Sequence, residues 1–167
     1  MSIEYLAGLF DGEGSFCLQV VIRDTLPRKD GTKKGTKSVI ITPRVVMKLY
    51  RGWEKVFPQF QELFGGKIYE TKKGKEWQWS LQDKKSCLFV AQSLLPHLHI
   101  KKEIAERFIE AIEMFPERKA AKRNGERDWT PELTDKVAYI ALTLNPDSAR
   151  KSPKTIEYLK ELEAIYG

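Results

Sequence analysis

The stretch Leu6 to Gly14, LAGLFDGEG, constrains the fold more than any other part of the chain. Ile3, Leu6, Ala7 and Phe10 fall at i, i+3, i+4 and i+7, the apolar stripe of a helix that Ser2 can cap and Gly12 can end with a positive φ. Isolated helices shorter than ~12–15 residues are marginal in water, so this one must be held by packing. Gly8 and Gly12 lie four apart, a spacing that lets a second helix backbone approach closely. The pattern does not recur later in the chain, so a second copy of the chain is the expected partner. Asp11 and Glu13 stand where the helix dipole is negative, unfavourable by ~0.3–1 kcal/mol per exposed charge. Rules of this kind are broken at functional sites. A carboxylate beside the last helix carbonyls is a hard, oxygen-rich setting of the kind Mg²⁺ or Ca²⁺ accepts, while an ordinary solvated turn is the alternative.

The 167 residues have room for one domain with a proper core, expected over 1–167 with the core at about 1–115 and a helical extension at about 116–167. Lys and Arg number 29 against 23 Asp and Glu, a net charge of +6 that favours a polyanionic partner. Two cysteines are too few for a disulfide scaffold and suit a reducing interior. The sequence shows no signal-peptide core and no apolar run near 20 residues, so an intracellular protein away from membranes is expected.

After the helix, Phe16 to Arg23 alternates, with Phe16, Leu18, Val20 and Ile22 on one face and Gln19 and Arg23 on the other. Asp24 to Lys37 reads as a basic hairpin tip, where Arg28, Lys29, Lys33 and Lys34 either meet phosphates or form an ordinary solvated loop. Lys37 to Lys48 is a second strand, with Val39, Ile41 and Val45 inward and Ser38, Ile40, Thr42 and Arg44 outward. Its Pro43 points to an edge or a bulge. Trp53 to Phe64 fits a helix stopped by Gly65-Gly66, with Pro58 in its first turn or at a kink.

Lys67 to Lys72 and Glu76 to Gln82 form a hairpin that turns Ile68, Trp77, Trp79 and Leu81 inward and Lys67, Tyr69, Thr71, Gln78 and Ser80 outward. These outward side chains are of the types that pair with base edges or phosphates. An antiparallel sheet with one wet face also needs no ligand. Helices follow at Ser86 to Leu95, Lys101 to Phe115, Trp129 to Leu144 and Thr155 to Tyr166, the last two preceded by polar, basic segments.

LAGLFDGEG, followed by Ser15 and Phe16, resembles the signature of the LAGLIDADG homing endonucleases, with Glu13 at the position of that family's metal-binding acid. One signature is similar to the homodimeric branch. The resemblance implies an α+β fold with an αββαββα core, whose antiparallel β-saddle lies on DNA, and extra C-terminal helices here. It implies a site-specific double-strand DNA endonuclease that uses Mg²⁺ and leaves short 3′ overhangs, with Ca²⁺ binding but not supporting cleavage. The DNA partner is a long pseudo-palindromic site. Related roles in the family are intron maturation and nucleic-acid binding without cleavage.

Residue by residue, the resemblance makes Glu13 the metal ligand, with the carbonyl of Gly12, and gives Lys101 the place of a lysine that assists catalysis. It puts Leu6, Ala7, Gly8, Phe10, Asp11 and Gly12 at the dimer interface, with Asp11 in a structural position. Ser148, Arg150 and Lys151 resemble a C-terminal loop that touches backbone phosphates. The family's water-positioning residue falls on Met47 when counted from the strand and on Leu49 when counted from the following helix. A one-residue bulge licensed by Pro43 brings Lys48 there instead, with Arg51 as the following basic group.

Overall fold

The computed structural model describes residues 2–25, 31, 36–116, 129–145 and 152–167. The first helix, α1 (Ile3–Glu13), starts on Ser2, whose hydroxyl accepts the Tyr5 N–H at 3.4 Å. It does not end at Gly12. It runs to Glu13 and passes with no connecting residue into strand β1 (Gly14–Thr25). The glycine that this junction requires is Gly14, where a Cβ would lie 2.3 Å from a ring carbon of Phe10. Leu6, Ala7 and Phe10 are fully buried. At about 1.5–3 kcal/mol for each large apolar side chain, that burial is enough to hold a helix of marginal length.

Strand β1 pairs antiparallel with β2 (Thr36–Tyr50), in an unbroken register from Gly14 opposite Met47 to Thr25 opposite Thr36. β3 (Lys67–Lys72) and β4 (Glu76–Leu81) complete a four-stranded sheet in the order β1-β2-β4-β3. β4 pairs with β2 only from Val45 to Tyr50, so Pro43 lies where β2 has β1 on one side and no strand on the other. The edge expected at this proline is present and the bulge is not. The register shift in the sheet falls instead between Glu70 and Lys72 of β3.

Between the hairpins, a 3-10 turn (Glu54–Val56) leads into α2 (Phe57–Phe64), with Pro58 in the first turn, where no helix hydrogen bond is lost. Gly65 and Gly66 stop it with φ of 72° and 95°. After β4 come α3 (Lys84–Leu94), capped by Asp83, and α4 (Lys102–Glu113). The Lys84 ammonium donates to the Phe115 carbonyl at 2.7 Å, a cation beside the end of α4. α5 (Pro131–Thr143) and α6 (Pro153–Tyr166) begin on Thr130 and Ser152.

The core lies on one face of the sheet, where the rings of Phe10 and Phe16 are 4.7 Å apart and those of Phe16 and Phe108 are 5.2 Å apart. α5 adds Val137, Ile140 and Leu144 to it. A second cluster, Ala138, Leu142, Tyr158 and Leu162, covers Val20, Ile22, Val39 and Ile41 on the far half of the first hairpin. Arg107 on α4 donates to the carbonyl and hydroxyl of Thr143, and the Asn145 side chain donates to the Phe16 carbonyl at 2.8 Å. The C-terminal helices therefore extend the same apolar layer along the β1–β2 hairpin.

Candidate active site and nucleic-acid face

Asp11 and Glu13, two residues apart, have opposite fates. Glu13 ends α1 exposed. The Asp11 carboxylate is 5% exposed and accepts the main-chain N–H of His99 (2.7 Å), Ile100 (2.9 Å) and Lys101 (2.8 Å), the groups that open α4. Burial pushes the Asp11 carboxyl up, but the hydrogen bonds from Ile100, His99 and Lys101, with the Lys101 charge, outweigh it and hold the group below its ordinary range. An anion therefore sits at the positive end of α4.

A helix that begins at Lys101, as the sequence suggests, would place a cation at its N-terminus, where the dipole disfavours it. The Lys101 main chain is there, but its ammonium donates back to the Asp11 carbonyl at the negative end of α1. Each charge thus sits at the helix end that favours it, and the Lys101 ammonium comes to the last turn of α1, where Gly12 and Glu13 lie.

Beside this turn is an open hollow of about 370 Å³ lined by Glu13, Ser15, Val46, Lys48, Tyr50 and Glu76. Lys48 reaches it without any bulge. Val45, Met47 and Leu49 point into the core, so the pleat alone turns Lys48 outward. Arg51 is exposed just past the strand and does not line the hollow, and its N–H donates to the Lys75 carbonyl at 2.9 Å.

Sequence reasoning missed Glu76. Its buried carboxylate accepts from the Thr71 hydroxyl at 2.5 Å and lies 3.7 Å from the Lys72 ammonium and 3.9 Å from that of Lys48. The Thr71 hydrogen bond, ahead of Lys72 and Lys48, holds Glu76 below the ordinary glutamate value. The signal was present in Glu76-Trp77-Gln78-Trp79, whose alternation turns Glu76 away from the core.

On the outward face of the sheet Gln19, Arg23, Lys67, Tyr69 and Thr71 are exposed, and Ser38, Thr42 and Arg44 are half-buried. Gln78 and Ser80 were expected to face DNA directly. They are 2% and 7% exposed, too enclosed for that, and the Gln78 amide donates to the Tyr69 hydroxyl that Arg44 also reaches. Arg28, Lys29, Lys33, Lys34, Ser148, Arg150 and Lys151 lie outside the described residues.

The dimer-face expectation divides in the same way. Leu6, Ala7, Phe10 and Asp11 are turned into the chain's own core and onto α4, so their side chains are not available to a second copy. Gly8 and Gly12 are exposed, with nothing within 4 Å of either Cβ position, and Tyr5 is exposed beside them.

A family model described as LAGLIDADG endonuclease matches residues 6–116, from within α1 to just past α4. The chain belongs to the LAGLIDADG endonuclease family. As a LAGLIDADG endonuclease it is a site-specific DNA endonuclease, a hydrolase of phosphodiester bonds.

Solved homing-endonuclease structures share the fold well beyond the matched segment. The homing endonuclease I-CvuI, in complex with its target in the presence of Ca, superposes with a TM-score of 0.69 at 19% identity, covering 96% of this chain and 94% of that one. I-TnaI gives 0.67 at 18% identity, covering 97% and 98%. I-GzeII, in complex with its DNA target, gives 0.69 at 17% identity, but 97% of this chain covers 50% of that one. No curated protein matches the sequence significantly. Among the described residues, no helix is long and apolar enough to cross a membrane.

Proposed function

We propose that two copies of this chain act together on double-stranded DNA, one Glu13 per strand, making a double-strand break with short 3′ overhangs. The observation that carries this reading is the convergence of Glu13, the Lys101 ammonium and the hollow containing Lys48 at the end of a helix whose outer face is Gly8 and Gly12. The two bare glycines suit a second α1 laid alongside, which brings the two helix ends together. The half-length match to I-GzeII supports the same count, since one copy of this chain spans half of that protein. A two-fold protein reads two half-sites, so the target is pseudo-palindromic. The protein works inside the cell, where such DNA lies.

The donor set fits a hard divalent ion. Glu13 offers an exposed carboxylate beside the helix's last carbonyls, that of Gly12 among them. Among the described residues no group of three or more His, Cys, Asp or Glu side chains is placed to hold a metal. Mg²⁺ binds through one or two carboxylates plus substrate phosphates and keeps several waters, so a single Glu13 carboxylate per copy is compatible with it. When bound, Mg²⁺ would supply an activated water and offset charge at phosphorus, and Ca²⁺ would take the same ligands without supporting cleavage. Glu13 would hold the ion, Lys101 would place positive charge where the leaving oxygen develops negative charge, and Lys48, which lines the same hollow, would orient water. Arg51 and the exposed basic and polar residues of the sheet face hold the DNA backbone and read its bases.

The test is cleavage of a randomised double-stranded DNA library in Mg²⁺ and in EDTA, by the wild type and by Glu13→Gln. Discrete products that need Mg²⁺ and vanish with Glu13→Gln are expected. DNA that is bound but never cut by the wild type under any divalent metal overturns the enzyme reading and leaves a binding protein.

A further inference from the structure

Three side chains on the outward face of the sheet form one hydrogen-bonded unit. Gln78, enclosed on β4, donates through Nε2 to the Tyr69 phenol oxygen on β3. Arg44 on β2 donates through Nη2 to the same oxygen at 3.4 Å. A phenol oxygen has two acceptor lone pairs and one proton to donate. With both lone pairs taken by Gln78 and Arg44, the Tyr69 proton is left to donate outward. Arg44 Nε is buried and has no partner among the described residues, so the Nη end is what the side chain shows to solvent. A guanidinium has no acceptor. The outer end of the unit therefore offers hydrogen-bond donors only.

In the major groove an all-donor group has one matching edge. Guanine shows two neighbouring acceptors, N7 and O6. Adenine pairs its N7 with a donor, cytosine shows a donor, and thymine shows one acceptor beside a methyl group. We infer that Arg44 reads a guanine in each half of the target, with Tyr69 and Gln78 as positioning residues that fix its fork. The inference rests on the proposed action on double-stranded DNA. It also explains a buried polar residue on a wet face, since Gln78 underpins Tyr69.

The test selects from the randomised duplex library twice, once for duplexes cut in Mg²⁺ and once for duplexes bound in EDTA. It uses the wild type, Arg44→Ala, Arg44→Lys and Tyr69→Phe. The wild type should demand guanine at one position per half-site, by about ten- to hundredfold over other bases. Arg44→Ala should lose that preference at that position alone, and Arg44→Lys should keep only part of it. Tyr69→Phe, which retains the ring but holds neither neighbour, should weaken the preference without moving it. Circular dichroism checks folding, and if Arg44→Ala does not fold, Arg44→Lys carries the comparison. A wild type with no guanine position overturns the inference, as does an Arg44→Ala that binds all sequences equally less well. Guanine-dependent binding without cutting sinks the endonuclease reading and leaves this inference standing. Cutting with an unaltered guanine preference in Arg44→Ala does the reverse, and a wild type that neither binds nor cuts overturns both.

Discussion

The Lys101 ammonium rests on the Asp11 carbonyl while the Asp11 carboxylate accepts the Lys101 N–H, so the two residues cap each other's helices. Asp11→Asn keeps the shape but turns an NH₂ group towards donors that need an acceptor. We expect it to lower stability by about 1.5–3 kcal/mol in urea denaturation, the range for hydrogen bonds to a charged group. The carboxyl is held below its ordinary value of 3.8 in the folded chain, so its contribution is full above that value. It is lost as pH falls through the lower folded value. Stability of the wild type should therefore fall more steeply below about pH 4 than that of Asp11→Asn. Parallel acid profiles would remove Asp11 from this role.

Lys101→Met should fold, since the side chain is only half-buried, and should bind DNA nearly as well as the wild type. Single-turnover cleavage should drop by about 10²–10³, the range for removing one preorganised charge-stabilising group. A loss confined to binding would make Lys101 a phosphate anchor instead.

Three glycines in one short stretch should respond in two ways. Gly8→Leu meets nothing in a single chain but fills the space a second α1 needs. It should yield a folded monomer by sedimentation equilibrium. Gly14→Ala places a methyl group on the Phe10 ring and should destabilise by about 1–3 kcal/mol in thermal melts, as overpacking does. Gly12→Ala should behave like Gly8→Leu, more mildly. A dimer that survives Gly8→Leu would put the interface elsewhere.

Ending the chain at Pro116 removes α5 and α6, although the family match ends there. Val20, Ile22, Val39 and Ile41 would then lose the helices that cover them. The truncated chain should aggregate or bind hydrophobic dyes, and a soluble, cooperatively folding fragment would show that the extension is dispensable.

Much of this structure was legible because it repeats locally. The stripe Leu6, Ala7, Phe10 and the alternations of Phe16 to Ile22 and Trp77 to Leu81 are periodic, and burial follows the period. Pleat parity also places Lys48 outward, but counting against a family pattern obscured this and called for a bulge that is absent. What local pattern could not supply was contact across distance. The Asp11 carboxylate meets amides 88 to 90 residues away. Gly14 is required by a ring four residues back that closes on it only once helix and strand have packed. Gln78 and Ser80 are buried although alternation turns them outward, and Gln78 bonds to a Tyr69 that Arg44 reaches from another strand, which alternation alone does not foresee.

The direct passage from α1 into β1 makes the protein a ruler. No hinge separates Glu13 from the strand that begins at Gly14, so the span from Glu13 to any outward residue of β1 is set by strand rise alone. Gln19, six residues on, lies roughly 20 Å away at about 3.4 Å per residue, or about six base-pair steps at 3.4 Å each. On the proposed reading, in which Gln19 and Arg23 face bases and Glu13 faces the cut strand, new side chains at Gln19 or Arg23 would change which bases are recognised and leave the cut where it was. On that reading, specificity can drift while the length of the proposed overhang stays constant.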